Sequence, residues 1–217
     1  MGNKTQAHQR YKNADGKVVP GVTTILGVKN KPALVKWANN LGLQGIDSSK
    51  YRDKMADIGT LAHAMVEAYL KGEQADTSEY STDDISKAEN AVLSFHEWEK
   101  HHTIKPLLLE GQLVSEVFQY GGQIDFYGWV DGELTLLDFK TGKAIYPEMF
   151  IQLAAYERLL TENGHSVSTR RILRIGRDED EGFDDRQVGG DTIKECWSNF
   201  KLCLAMYASD KIIRKER

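Results

Sequence analysis

Cysteine is scarce: the chain has two, Cys196 and Cys203, seven residues apart on one expected helix. That suits neither a disulfide framework nor a zinc or iron–sulfur cluster, and both read as buried apolar fillers. Long apolar runs are missing too, none approaching the ~20 residues that cross a bilayer. The opening MGNKTQAHQR holds no hydrophobic segment of the kind a secretory signal requires. The expected location is therefore cytoplasmic, with no membrane partner. Positive charge is not in excess, since 28 Lys and Arg against 32 Asp and Glu leave a net −4. That removes a global basic field but does not exclude a nuclease. An enzyme that gathers carboxylates around a divalent metal gains acid in its site and still carries Lys and Arg along a groove. Repeats, low-complexity tracts and Pro/Ser linkers are absent, so residues 1–217 are expected to form one domain.

What is present suffices for a core: 41% of the residues are hydrophobic and 9% aromatic. The lead-in around NADGK reads as loose or hairpin-like. KPALVKWANNLG is a short amphipathic helix with Pro32 near its start and Gly42 at its end. A second helix is expected from about Lys54 to Leu70, and a third over about 83–101, capped by Asp83 or Thr82. From about 107 to 140 the apolar period becomes two. LLLEGQLVSEVFQY, GQIDFYGWV and ELTLLDFK read as consecutive strands, with Asp131-Gly132 as a tight hairpin turn. PEMFIQLAAYERLLTENG is a helix ended by Gly164, TRRILRIG a strand, and DRQVGG a short one; a helix from about Asp191 to Asp210 follows. The expected fold class is α/β, a mixed sheet flanked by helices behind a helical N-terminal third.

Chemistry concentrates in LTLLDFKTGK. Asp138 and Lys140 are two apart in a strand, so they share a face. If Val130 pairs with Glu133 across the hairpin, continuing the register brings Asp125 opposite Asp138 and Gln123 opposite Lys140. Opposed Cβ atoms stand about 4.5–5.5 Å apart, where like charges repel unless a cation intervenes. The Phe139 carbonyl lies between the charged side chains as a further oxygen ligand. A two-residue turn at Tyr120-Gly121 or Gly121-Gly122 adds Glu116 to the same face; a three-residue turn turns it away. Ile124, Phe126, Val130, Leu137 and Phe139 are expected on one face, with Tyr127, Trp129, Leu134 and Leu136 beside the carboxylates on the other, so the hairpin is covered on both sides. The bland alternative is a solvated Asp and Lys at a sheet edge.

Four blocks recur in order: Gly59-x-x-x-His63-x-x-x-Glu67 on a helix, Gly122-x-x-Asp125, Asp138-Phe139-Lys140-Thr141-Gly142, and Gln152-x-x-x-Tyr156 on the next helix. Together they resemble the PD-(D/E)XK nuclease superfamily, and within it the RecB-like exonuclease group. The lead-in VPGVTTILGV…LVKWANNLG also looks like phage exonucleases and the mitochondrial genome maintenance exonuclease. The resemblance implies a restriction-endonuclease-like core in which Asp125 and Asp138 bind Mg²⁺ or Mn²⁺, with the Phe139 carbonyl and His63 completing the shell. Lys140 would position or activate water, and Glu116 would supply the remaining acid, with Glu67 as its substitute. Gln152 and Tyr156, with Thr141, would hold DNA or order the lysine. Two cysteines exclude the four-cysteine iron–sulfur subgroup, and no Gly-x-x-x-x-Gly-Lys-Ser/Thr loop marks a fused motor.

His63 with Glu67, and Gln152 with Tyr156, also fit a plain helix surface or core stripe. Arg171 and Arg174, within TRRILRIGR, either contact phosphates or pair with the acidic stretch that follows. The function implied is a metal-dependent DNA exonuclease of phage or bacterial recombination and repair. Its partners would be DNA with a free end and a recombination or single-strand-binding protein, with oligomerisation open. The rivals are an endonuclease or junction resolvase on the same scaffold, or a silent nucleic-acid-binding protein.

Overall fold

The computed structural model describes residues 10–216. The strands β1 (Tyr11–Lys12) and β2 (Val18–Val19) form a small hairpin, followed by helices α1 (Val22–Leu26), α2 (Pro32–Leu43), α3 (Ser48–Lys71) and α4 (Thr82–Glu99). Then come strands β3 (Ile104–Ser115), β4 (Tyr120–Val130) and β5 (Glu133–Lys140), helix α5 (Pro147–Glu162), strands β6 (Thr169–Ile175) and β7 (Phe183–Gln187), and helix α6 (Gly190–Ile213). The main sheet has five strands in the order β3-β4-β5-β6-β7. All neighbours are antiparallel except β5 and β6, which are parallel and joined through α5. The architecture is α/β with a mixed central sheet flanked by helices. Residues 1–9 of the expected lead-in lie outside the described part.

Two apolar clusters sandwich the sheet. One packs α1, α5 and α6 against it through Ile25, Leu153, Leu159 and Phe200; the other packs α3 and α4 through Ile58, Leu61, Phe95 and Trp98. A sheet covered on both faces needs apolar side chains on both, which is why β5 buries Leu136, Leu137, Asp138 and Phe139 in succession. Fully burying aromatic and aliphatic side chains of this size contributes roughly 1.5–3 kcal/mol each, so the layers are held mainly from both sides of β5.

Local signals set the boundaries. Asp131 and Gly132 have φ of 50° and 83°, the pair of left-handed residues a twisted two-residue hairpin demands. Helix α3 starts six residues before the expected Lys54 because the Asp47 carboxylate accepts from Ser49 N and Lys50 N. Helix α4 is capped by Ser81, whose Oγ accepts from Asp84 N, rather than by Thr82 or Asp83. Gly164, at φ 85°, ends α5 as anticipated, whereas α6 runs three residues beyond Asp210 to Ile213.

The β3–β4 connection departs from the expected two-residue turn. Ser115 pairs with Tyr120, so residues 116–119 form the loop, with Gln119 at φ 56°. A second irregularity lies at Pro106/Leu108, where the register shifts. Gly128 meets it from β4: a Cβ there would lie 2.4 Å from the Lys105 carbonyl oxygen and 2.9 Å from Pro106 Cα. Both are backbone atoms that cannot swing aside. Gly128→Ala is therefore expected to destabilise the fold by about 2 kcal/mol or more, seen as a lower urea midpoint with an unchanged slope.

Candidate active site

The site forms where the sheet changes its pairing. The β4–β5 ladder runs from Val130 opposite Glu133 to Phe126 opposite Leu137. Beyond it the Asp125 side chain takes over, its Oδ2 accepting the Phe139 N–H at 2.8 Å. Asp125 thus spends its carboxylate on the neighbouring strand's backbone instead of facing Asp138 as a regular cross-strand pair. Packing changes at the same point. Ile124 joins Tyr127 and Leu136 in the α5 cluster, while Phe126, Val130, Leu137 and Phe139 pack in the α3/α4 cluster. Strict alternation had placed Ile124 with the latter set; a local irregularity at Asp125 breaks the period of two.

The partner strand is irregular at the matching place. Leu109 pairs with Phe126 and Gly111 with Ile124, leaving Glu110 beside Asp125, and Glu110 has φ 47°. A non-glycine residue in the left-handed region carries backbone strain of order 1–3 kcal/mol, which surrounding structure must hold in place. Gly111 helps: a Cβ there would lie 2.3 Å from Leu108 Cγ, so the strand closes on Leu108 only with a bare α-carbon at 111.

Helix α3 supplies the third group. Its Gly59 lets the helix approach the end of β5, since a Cβ would lie 2.8 Å from Thr141 Oγ1. One turn on, His63 Nδ1 lies 3.7 Å from Asp125 Oδ2 and 3.9 Å from Glu110 Oε1. His63, Glu110 and Asp125 each offer a ligand atom within 4.8 Å of the others, a group of cation-binding type found among the described residues. The His63 ring meets Phe139 edge-on, with centroids 5.9 Å apart, and Glu110 is also hydrogen-bonded by Gln123 Nε2.

Asp138 and Lys140 lie at the end of β5. Asp138 is 1% exposed, with its Oδ2 ion-paired to Lys140 Nζ and no hydrogen-bond donor on Oδ1. Burial pushes its carboxyl up to about 6, Lys140 counteracting and Asp125 adding to the rise. Asp125 is raised as well, chiefly by burial, with His63 opposing and Glu110 reinforcing. Burial works against the charged form of His63, but Asp125 and Glu110 outweigh it and leave the imidazole raised. Several acids held close in a dry place resist ionising together, and a cation among them would relieve the conflict. Gln152 Nε2 donates to Tyr156 Oη at 2.8 Å, and burial, then Asp138 and Asp125, hold the Tyr156 hydroxyl protonated. Gly122 makes room for that ring: a Cβ there would lie 2.7 Å from Tyr156 Cε1.

Other expected residues lie elsewhere. Glu116 sits in the β3–β4 loop, where its Oε1 accepts from Ala14 N, so the four-residue loop removes it from the cluster and Glu110 stands in its place. Glu67, one turn beyond His63, is engaged by Lys71 at 2.5 Å. Arg171 pairs with Asp185, which also accepts from Trp98 Nε1, and Arg174 donates to the Glu181 carbonyl; both arginines serve the β6–β7 side of the sheet. Glu110 was legible in principle: a glutamate-glycine dipeptide inside an apolar strand marks an irregularity. Only the loop length shows which carboxylate faces Asp125.

No family model matches the chain, and no curated protein matches it. Among solved structures, a provisionally assigned exonuclease from Eubacterium rectale aligns with 67% of this chain and 64% of its own, at 13% identity and a TM-score of 0.44. The aligned part thus spans less than two thirds of that protein. The alkaline exonuclease of Laribacter hongkongensis aligns over 71% of this chain and 82% of its own, at 13% identity and a TM-score of 0.40. The same enzyme in complex with dAMP aligns over 75% and 90%, at 12% identity and a TM-score of 0.34.

Proposed function

We propose that this chain is a divalent-metal-dependent DNA exonuclease of the RecB-like type, built as one domain. The observation that carries the reading is the convergence of Glu110, Asp125 and His63 beside the buried Asp138–Lys140 pair. The donor set fits a hard divalent cation: it is rich in carboxylate oxygens, and the buried Asp138 leaves its Oδ1 without a hydrogen-bond donor. Glu110, Asp125, Asp138 and His63 would hold Mg²⁺ or Mn²⁺, and the Phe139 carbonyl is the further ligand we assign. Such a cation, when bound, acidifies a water and offsets charge on the scissile phosphate.

The chain's own residues do the rest. The ammonium of Lys140, held by Asp138, orients the attacking water and neutralises charge growing on the phosphoryl oxygens. A cationic role suits its surroundings, since its Nζ is paired with the Asp138 carboxylate. The Phe139 N–H fixes one Asp125 oxygen and leaves the other for ligation. Gln152 shares a cavity with Lys140 and donates to the buried Tyr156 hydroxyl near Asp138, so it would present a neutral polar group to substrate. A role in phage or bacterial recombination and repair is the setting that the sequence resemblance supports.

The test is digestion of end-labelled linear and covalently closed circular DNA, single- and double-stranded, with Mg²⁺, Mn²⁺ or EDTA. Wild type is expected to degrade only linear DNA and only with metal. Lys140→Ala is expected to lose about 100-fold or more in single-turnover rate. Cleavage of circles would move the assignment to an endonuclease, and a folded wild type inert on every substrate would sink the nuclease reading.

A further inference from the structure

The β1–β2 hairpin takes no part in the chemistry described so far, yet it is firmly docked. Its strands pair Tyr11 with Val19 and Lys12 with Val18. The turn between them is tied to the β3–β4 loop: Asn13 Nδ2 donates to Gln119 Oε1 at 2.8 Å, and Ala14 N to Glu116 Oε1 at 2.8 Å. At its other end the hairpin joins the main sheet. Gly121 N donates to the Pro20 carbonyl at 2.9 Å, and Gly21 bridges Gly121 in parallel. A two-stranded hairpin this short does not hold its shape alone, so these anchors decide where its side chains stand.

Tyr11 is the side chain this docking places. Its ring fills the space that two glycines leave: a Cβ on Gly121 would lie 2.5 Å from Tyr11 Cβ, and one on Gly21 3.0 Å from Tyr11 Cε2. The face it occupies follows from β4. Gly121 and Gln123 are two apart in that strand and share a face, whereas Gly122 opens toward Tyr156 on the opposite one. Gln123 Nε2 donates to Glu110, so the Tyr11 ring lies on the face that carries the cluster of Glu110, Asp125 and His63. Its hydroxyl senses those acids. Burial, then the Glu110 and Asp125 charges, keep it protonated, and Tyr156 feels it in turn. The residue is only half-buried, and among the described residues its hydroxyl has no hydrogen-bond partner. A protonated phenol is thus held beside the acids as a donor without an acceptor. A phosphate oxygen entering the cluster supplies the acceptor it lacks.

We propose that Tyr11 is a further catalytic residue, its hydroxyl donating to a non-bridging oxygen of the scissile phosphate and stabilising the charge that builds there. Tyr11 keeps its proton throughout: water oxygen bonds to phosphorus, the bond to the leaving sugar oxygen breaks, and the proton that water loses and the one that the sugar oxygen gains are exchanged with solvent. The proposal rests on the nuclease reading of the adjoining cluster and adds to it a group from outside the main sheet. The bare α-carbon at Gly121 and the Pro20 contact serve to present that group.

The experiment measures single-turnover cleavage of end-labelled linear oligonucleotides with Mg²⁺ or Mn²⁺ by wild type, Tyr11→Phe, Gly121→Ala and the double variant. Tyr11→Phe keeps the ring over the glycines and removes only the hydroxyl. It is expected to lose about 100-fold in rate at saturating enzyme, with an unchanged melting temperature. Gly121→Ala pushes the ring aside and is expected to lose a similar factor, but to add less than about twofold in the Tyr11→Phe background, because both remove one contact. Sulfur at one non-bridging position of the cut linkage, a weak acceptor, gives the readout that packing cannot move. With one diastereomer the gap between wild type and Tyr11→Phe closes to within about twofold; with the other it persists. Should Tyr11→Phe fold poorly, the same sulfur test on Gly121→Ala decides. Tyr11→Phe cleaving at the wild-type rate, or a gap that is the same for both diastereomers and the all-oxygen linkage, overturns the proposal while active wild type keeps the nuclease. Wild type that cuts no linear DNA with either metal removes both.

Discussion

Glu110→Gln is expected to lower metal-dependent hydrolysis by about 100-fold or more, with partial recovery at high Mn²⁺. The amide keeps the size and the Gln123 contact but loses the charge that, with Asp125 and His63, makes the three-residue cluster. Recovery at high metal distinguishes weakened binding from a collapsed site. Glu116→Gln is the matched control. Glu116 accepts from Ala14 N in the β3–β4 loop, away from that cluster, so its change should leave the rate within about twofold. The measurement is a single-turnover rate on one labelled linear substrate across a metal titration. A severe loss in Glu116→Gln with Glu110→Gln near wild type would return the acidic role to the loop residue and undo the strand geometry derived above.

Asp138→Asn is expected to divide stability from activity. The carboxyl rises from its ordinary 3.8 to about 6 in the folded protein because burial disfavours its charge. An unfolded chain gives up that proton at lower pH. As pH rises from about 4 to 6 the folded state therefore binds more protons than the unfolded state, and stability falls. The asparagine variant has no such proton to lose, so in EDTA its stability should no longer fall over that pH range. Adding Mg²⁺ or Mn²⁺ should then raise wild type, by roughly 2.7 kcal/mol at a hundredfold excess over Kd, and leave the variant nearly unmoved. Activity should vanish in the variant. Calorimetry with and without EDTA between pH 4 and 8 checks every part. A variant whose stability still falls from pH 4 to 6 in EDTA, or that gains as much from metal as wild type, would mean that Asp138 is simply a satisfied partner of Lys140.

Much of the secondary structure was legible because local chemistry fixes it. The Asp131-Gly132 turn admits essentially one tight hairpin, and with it the β4–β5 register down to Phe126 opposite Leu137. Glycine after α5, and the change of apolar period from helix-like to strand-like near residue 107, act over a few residues and survive in the fold. Helix starts were less secure. The serine and aspartate caps at Ser81 and Asp47 compete with equally suitable neighbours, and the choice falls to whichever side chain reaches a free N–H.

By itself the sequence determined an α/β chain with a two-face-covered sheet, and it put Asp125, Asp138, Lys140, His63, Gln152 and Tyr156 forward as the residues of interest. These follow from periodicity, turn chemistry and motif order, which are properties of neighbours in the chain. Tertiary structure decided which acid completes the cluster and how the acids meet. A four-residue loop at 116–119 and a left-handed Glu110 bring that residue to Asp125, and Asp125 itself turns to the Phe139 N–H in place of a regular pairing with Asp138. A loop longer by two residues barely changes local propensity, yet it moves every later cross-strand partner. Register is a long-range property, set by the whole sheet's packing between two clusters, and no short window of sequence contains it.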